Sequence, residues 1–250
     1  MGPIEVTTDG AVLHIRLSRP QVRNAINQAM ADAVSDAVDQ LEADPALRVA
    51  VIDGADGTFC SGMDLKAYLA GERPVAGDRG LLGIANRMPR KPLIAAVEGY
   101  ALGAGFEVIL SCDLAVAAES AVFALPEVQR GLLAGGGGTI HLAQRLPRAL
   151  ASDLILTGRR LSAAEAVAMG LASRIAPDGA ALDAAMELAR AMAQAPAVTV
   201  ATARELMAEA RWWQPHEAFD LQAPYLQRII ESPEARQGAQ AFVTKGRNSE

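Results

Sequence analysis

Metal-ligand side chains are scarce in this chain. Three histidines (His14, His141, His216) and two cysteines (Cys60, Cys112) are scattered over 250 residues. They lie too far apart in sequence to suggest a metal site, and two cysteines do not make a disulfide framework. Each cysteine is expected to be a small buried thiol in a reducing compartment. Basic charge is also short: 23 Lys and Arg against 29 Asp and Glu give a net charge of −6. No surplus remains to neutralise a phosphate backbone, which argues against a nucleic-acid partner. No apolar run approaches the length of a membrane span, and no basic stretch precedes an apolar one near the first residues. The sequence reads as cytoplasmic, with no membrane partner.

Apolar surface is plentiful. Hydrophobic residues make up 51% of the chain, enough at this length to bury a full core in one large domain with a smaller appendage. Strand and helix patterns alternate over the first two thirds, which gives an α/β class. Ile4 to Thr7 and "AVLHIRL" read as two strands joined by a turn at Asp9-Gly10, with His14 at a surface or edge position. "SRPQVRNAIN" is a loop stiffened by Pro20. Asn27 is placed to cap a helix reaching about Leu41, with Met30, Val34, Val38 and Leu41 on one face. "RVAVIDG" (48–54) has the short, β-branched pattern of a buried strand. Residues 71–80 read as a mobile surface loop, and a helix through Met88 is expected after it, ending before Pro89. From Pro196 the chain reads as almost wholly helical, broken at Pro215, Pro224 and Pro233. The expected division is a core over 1–195 and a helical region over 196–250.

Two stretches suggest chemistry. From Lys91 to Leu114, "KPLIAAVEGYALGAGFEVILSCDL" reads as a strand, a small-residue turn at Gly103-Ala104-Gly105 and a helix start. Turn glycines let backbone N–H groups approach a ligand, and the helix start adds unpaired donors at the positive end of its dipole. Such a place suits an anion, or an oxygen that becomes anionic during a reaction. A lone turn of this kind more often serves a close strand–helix crossing. Glu107 changes the balance, because a carboxylate among Phe106, Val108, Ile109 and Leu110 needs a partner or a task. "GTFCSGMDLKAYLAG" (57–71) repeats the arrangement, with Cys60, Ser61 and Gly62 leading from a strand into a second helix. Glu127 follows "FALP"; an acid after proline is a common helix start, so alone it reads as a dipole-stabilising residue. "GLLAGGGGTIHL" (131–142) looks like a phosphate loop but lacks the Gly-Lys-Ser/Thr ending and the dinucleotide fingerprint. It reads as tight packing beside the site, with donors from a helix that starts near Thr139.

The segments "RPQVRNAIN", "TFCSGMDLK", "AAVEGYALGAGFEVILSCDL", "FALPEVQRGLLAGGGGT", "LTGRRLSAAEAVAMGLASRI" and "EARQGAQAFVTKG" together resemble the enoyl-CoA hydratase/isomerase (crotonase) superfamily, in order and in spacing. The resemblance covers nearly the whole chain. It implies an α/β spiral of ββα units with a C-terminal helical trimerisation region, a homotrimer or dimer of trimers, and an acyl-CoA thioester substrate. Coenzyme A then enters as part of the substrate, with no separate cofactor and no metal. By position, the resemblance makes Met63 and Ala104 the two backbone donors of an oxyanion hole, and Glu107 and Glu127 the catalytic glutamates. It implies substrate contacts at Arg23 and Ala25, at Cys60, Ser61, Asp64, Leu65 and Lys66 around Met63, and at Gly135. The tail residues Phe242 and Lys245 fall at the nucleotide end of CoA. Ala104 stands where many hydratases have glycine, Arg23 where some have an apolar residue, and Ala134 where some relatives have proline.

The implied reaction is addition of water across the 2,3 double bond of an enoyl thioester. Glu107 would activate the water and Glu127 would protonate Cα. Two rivals stay open at this stage: a double-bond isomerase on the same fold, in which one glutamate shuttles a proton, and a non-catalytic acyl-CoA-binding homologue.

Overall fold

The computed structural model describes residues 2–247, with side chains described through Thr244. The chain divides into two units, Met1–Met192 and Ala193–Glu250. In the first unit the elements run β1 (Ile4–Asp9), β2 (Val12–Leu17), α1 (Gln28–Ala43), β3 (Val49–Gly54), α2 (Leu65–Leu69), β4 (Leu93–Val97), β5 (Tyr100–Leu102), α3 (Ala104–Leu110), β6 (Leu114–Ala118) and β7 (Val122–Ala124). They continue with α4 (Gly138–Arg145), α5 (Arg148–Thr157), β8 (Leu161–Ser162), α6 (Ala163–Ala168), β9 (Arg174–Ala176) and α7 (Ala181–Ala193). A six-stranded sheet has the order β1-β2-β3-β4-β6-β9, and a three-stranded sheet the order β5-β7-β8. In the large sheet only the β1–β2 pair is antiparallel. Buried on both faces, Val49–Ile52 of β3 and the whole of β4 are continuous apolar runs rather than alternating ones.

The connectivity is a spiral. One strand of each repeat joins the large sheet, the chain turns, a shorter extended piece joins a second layer, and a helix returns. After β4 the short piece is β5 and the helix α3; after β6 the short piece is β7, which pairs with β5 in parallel. The earlier repeats have shrunk to single bridges, Ile26 with Met63 and Cys60 with Ala101. Met63 and Ala104 therefore occupy equivalent corners of successive repeats, where extended chain passes into α2 and α3. The spiral stacks these corners next to each other.

Local chemistry fixes the helices. Asn27 caps α1, its Oδ1 accepting from Met30 N at 3.1 Å, a contact worth ~1 kcal/mol. Met30, Ala31, Val34, Ala37, Val38 and Leu41 of α1 are buried along one stripe. Every residue of α3 is buried.

Several expectations from the sequence are corrected. Residues 80–92 form turns and bends, not a helix through Met88. Leu82 takes a left-handed conformation (φ +50°), which a helix does not admit, and the segment closes on itself by bonds such as Ala76 N–H to Gly80 O and Leu82 N–H to Pro74 O. β5 and β8 are too short to announce themselves by alternation. His14 is not at an edge: β2 lies between β1 and β3, and His14 Nε2 is 2.8 Å from Asp53 Oδ1. Asp53, in β3, also receives Arg16 through two nitrogens, and with these partners its carboxyl stays below the usual range despite burial.

The second unit comprises α8 (Ala197–Ala210), α9 (Ala218–Ile230) and α10 (Pro233–Arg247). Pro224 does not break α9, which continues through it. Tyr225 donates its hydroxyl to Glu209 at 2.6 Å, and its ring lies 6.0 Å from that of Trp213. Met207, Trp212, Phe219, Leu226, Ile230 and Phe242 are exposed. Among the described residues, no helix is long and apolar enough to cross a membrane.

Candidate active site

A cavity of about 420 Å³ opens in the first unit, where the corners of successive repeats meet. Its floor is backbone. Gly62 (φ +108°) precedes Met63, and Gly103 (φ +54°) precedes Ala104. A Cβ on Gly62 would fall 2.9 Å from Leu102 O and 3.7 Å from Ala104 N, so the two turns touch. At both corners a left-handed glycine swings the next N–H out of the local ladder. Met63 bridges Ile26 through its neighbours, Ile26 N–H bonding Gly62 O and Asp64 N–H bonding Ile26 O. Its own N–H is left on the opposite side. Ala104 is the first residue of α3, a position with no intrahelical acceptor. Among the described residues, neither N–H has a backbone acceptor.

Two carboxyls face this floor. Glu107, one helical turn along α3, is 3% exposed, and its Oε1 accepts from Gly138 N–H at 2.9 Å. The glycine run thus acts as packing and donor at once: a Cβ on Gly138 would fall 3.0 Å from Glu107 Oε1, and one on Gly136 3.0 Å from Oε2. Burial, with a smaller contribution from the charge of Glu127, pushes the Glu107 carboxyl up to about 7, against the N–H groups of Gly138 and Gly136, which favour its anion. Glu127 begins a 3-10 turn, Glu127–Arg130, with Pro126 capping it rather than sitting inside it. Its Oε1 lies 2.9 Å from where a Cβ on Gly103 would be. Its Oε2 is buried with no hydrogen-bond partner among the described residues. Burial raises this carboxyl too, partly offset by the residue's own backbone N–H and, less, by Arg130. A four-residue turn has little dipole to stabilise, so the helix-start explanation of Glu127 loses its basis.

The Enoyl-CoA hydratase/isomerase profile matches residues 7–249. The chain belongs to the enoyl-CoA hydratase/isomerase (crotonase) family. It is 37% identical to a carnitinyl-CoA dehydratase of Proteus mirabilis, over 97% of this chain and 95% of that protein. Enoyl-CoA hydratase EchA19 of Mycobacterium tuberculosis is also 37% identical, over 94% of this chain and 91% of that protein. Among solved structures, an enoyl-CoA hydratase from Mycobacterium tuberculosis H37Rv superposes with a TM-score of 0.95 at 43% identity, covering 98% of this chain and 97% of that one. The two-sheet α/β architecture is the crotonase fold.

In this crotonase-family cavity, Ser61, Met63, Leu65, Ala104, Glu107, Glu127 and Gly135 meet as lining residues. Other residues expected to touch substrate do not line it. Cys60 is fully buried beneath the floor, packed against Gly105, and burial pushes its thiol up to about 12. Its side chain is structural. Asp64 caps α2 through Lys66 N and Ala67 N and pairs with Arg19 at 3.0 Å. Ala25 is buried, and its carbonyl accepts from Arg19 at 2.6 Å. Arg23 and Lys66 are exposed, and Arg23 is held beside the floor by Ser61 N–H donating to its carbonyl at 3.0 Å. Phe242 is 82% exposed on α10 of the second unit; the side chain of Lys245 lies outside the described residues. The cavity is completed by Tyr68, Pro74, Val75, Leu81, Asn86 and Leu132, residues that the sequence does not single out one by one. Tyr68 lies on the short helix α2; the others come from loops without periodicity, and no local signal marks them.

Proposed function

We propose that this chain adds water reversibly across the 2,3 double bond of an enoyl-CoA thioester. The observation that carries the reading is the meeting of four groups in one cavity: the two unengaged N–H groups of Met63 and Ala104 and the two buried carboxyls of Glu107 and Glu127. The names of its relatives, hydratase and dehydratase, describe the two directions of such a reaction. In the forward direction the thioester oxygen rests on the two N–H groups. Glu107, with a proton affinity near neutrality and N–H donors that favour its anion, takes a proton from water. The hydroxide oxygen bonds to Cβ, the double-bond electrons move toward the thioester, and the resulting enolate oxygen is held by the two donors. Loss of one such donor typically costs ~3 kcal/mol of barrier. Glu127, whose unpartnered Oε2 disfavours the anion, gives its proton to Cα. A proton returned from Glu107 to Glu127 restores the starting state.

Arg23 and Lys66 are proposed to meet the nucleotide end of CoA, and Phe242 and Lys245 to cover that of a neighbouring subunit's substrate, where such contacts would serve ground and transition states alike. The test is turnover of a panel of enoyl-CoAs by wild type and Glu127→Gln. The variant is expected to lose about 10²–10⁴ in kcat while still binding the thioester. Near-normal hydration by a folded Glu127→Gln protein would overturn the assignment. Double-bond migration without hydration in the wild type would favour an isomerase.

A further inference from the structure

The hydration reading leaves one part of the cavity unexplained: the loop that roofs Glu107. Residues 74–86 are tightly knotted rather than loose. Val75 and Leu81 form an antiparallel bridge, and Gly83 N–H and Ile84 N–H bond back to Gly80 O and Leu81 O. The loop is also fastened to α1 from outside the cavity. Gln28 Nε2 donates to Val75 O at 2.7 Å, Arg79 pairs with Asp39, and Gly83 sits against Ser35. Of the side chains that this framework turns to the cavity, Pro74, Val75, Leu81 and Asn86, the largest apolar one is Leu81. Leu81 is 5% exposed and lines the cavity. A Cβ on Gly136 would fall 2.2 Å from Leu81 Cδ2 on one side and 3.0 Å from Glu107 Oε2 on the other. Gly136 is thus a thin spacer, and Leu81 is the apolar mass pressed over it toward the carboxyl.

We propose that Leu81 is a positioning and specificity residue: it closes water off from the Gly136 side of Glu107 and sets the depth available to the acyl group. The inference rests on the hydration reading and extends it to the substrate, favouring an acyl chain that ends short of Leu81. The apolar cover it supplies is the kind of environment that raises a carboxyl by burial. The other charged groups facing Glu107 do not replace that cover. Glu127 lines the same cavity, with Arg130 beside it. On α4, the His141 ring lies against Gly137, and Arg145 is committed to Leu110 O at 2.6 Å. On the loop, Arg79 is paired with Asp39, and Asp78 with Arg87.

Two variants separate the two roles. Leu81→Ala opens both the cover and the pocket; Leu81→Asn keeps the branch at Cγ and the number of heavy atoms but makes the cover polar. In both, the acid limb of the kcat/KM pH profile is expected to move down by about one unit or more. In Leu81→Ala alone, kcat/KM for an acyl chain three or four carbons longer should rise about tenfold relative to the short one. Infrared titration of isotopically labelled glutamate carboxyls provides a readout that does not depend on turnover, and the raised carboxyl should move toward the ordinary range in both variants. Unchanged titration and unchanged acyl range in folded variants of an active enzyme would overturn the role of Leu81. A wild type that hydrates no enoyl-CoA would instead overturn the function on which it rests.

Discussion

Glu107 holds a proton longer than an ordinary carboxyl, and that has consequences for stability as well as for chemistry. Its folded affinity, about 7 against 4.5 in the unfolded chain, means that the folded protein binds a proton between these values that the unfolded chain has released. The associated stabilisation is complete below 4.5 and is lost as pH rises through 7. The difference in unfolding free energy between wild type and Glu107→Gln should therefore shift by about 3 kcal/mol between pH 4.5 and 8, with the variant gaining on the wild type as pH rises. Urea midpoints across that range measure it; a constant difference would mean that Glu107 titrates normally. Met63 offers the complementary case, in which the backbone matters more than the side chain. Met63→Pro deletes the N–H and should lower kcat by about 10²–10³, while Met63→Ala should keep the reaction and shift acyl preference. A folded, active Met63→Pro protein would remove Met63 from the oxyanion hole. Glu107 was legible in the sequence because a charge amid Phe106, Val108 and Ile109 asks for an explanation. Leu81 was not, since an apolar residue in a loop looks alike whether it packs idly or covers a carboxyl.

Among the elements, the corners are less tolerant than the helices they start. Gly103 combines φ +54° with a Cβ position 2.9 Å from Glu127 Oε1. Gly103→Ala should cost ~1–3 kcal/mol from the positive-φ backbone alone and should depress turnover by displacing Glu127. Thermal melts and kcat measured together test this; a melt shift without loss of kcat would leave Gly103 a purely structural turn. Helix α1 could be read residue by residue, because its cap and its apolar stripe are local. β5, β8 and the loop over 74–86 could not. The two strands are defined by partners elsewhere in the spiral, and the loop by its fastening to Gln28 and Asp39 on α1.

For the whole molecule, the second unit leaves Trp212, Phe219, Leu226, Ile230 and Phe242 exposed. The expected state is a homotrimer or a dimer of trimers, so light scattering on the eluted protein should give three or six times the 26.1 kDa of the chain. A monomeric mass would overturn this. The large sheet has another consequence, one for biosynthesis. β3 is buried on both faces and pairs in parallel with β4, which begins only at Leu93. On the ribosome the β-branched run Val49–Ile52 has β2 on one side and nothing on the other until the next repeat emerges, a delay on the order of seconds. For that interval an open strand edge, later hidden in the centre of the sheet, is available to any other nascent chain.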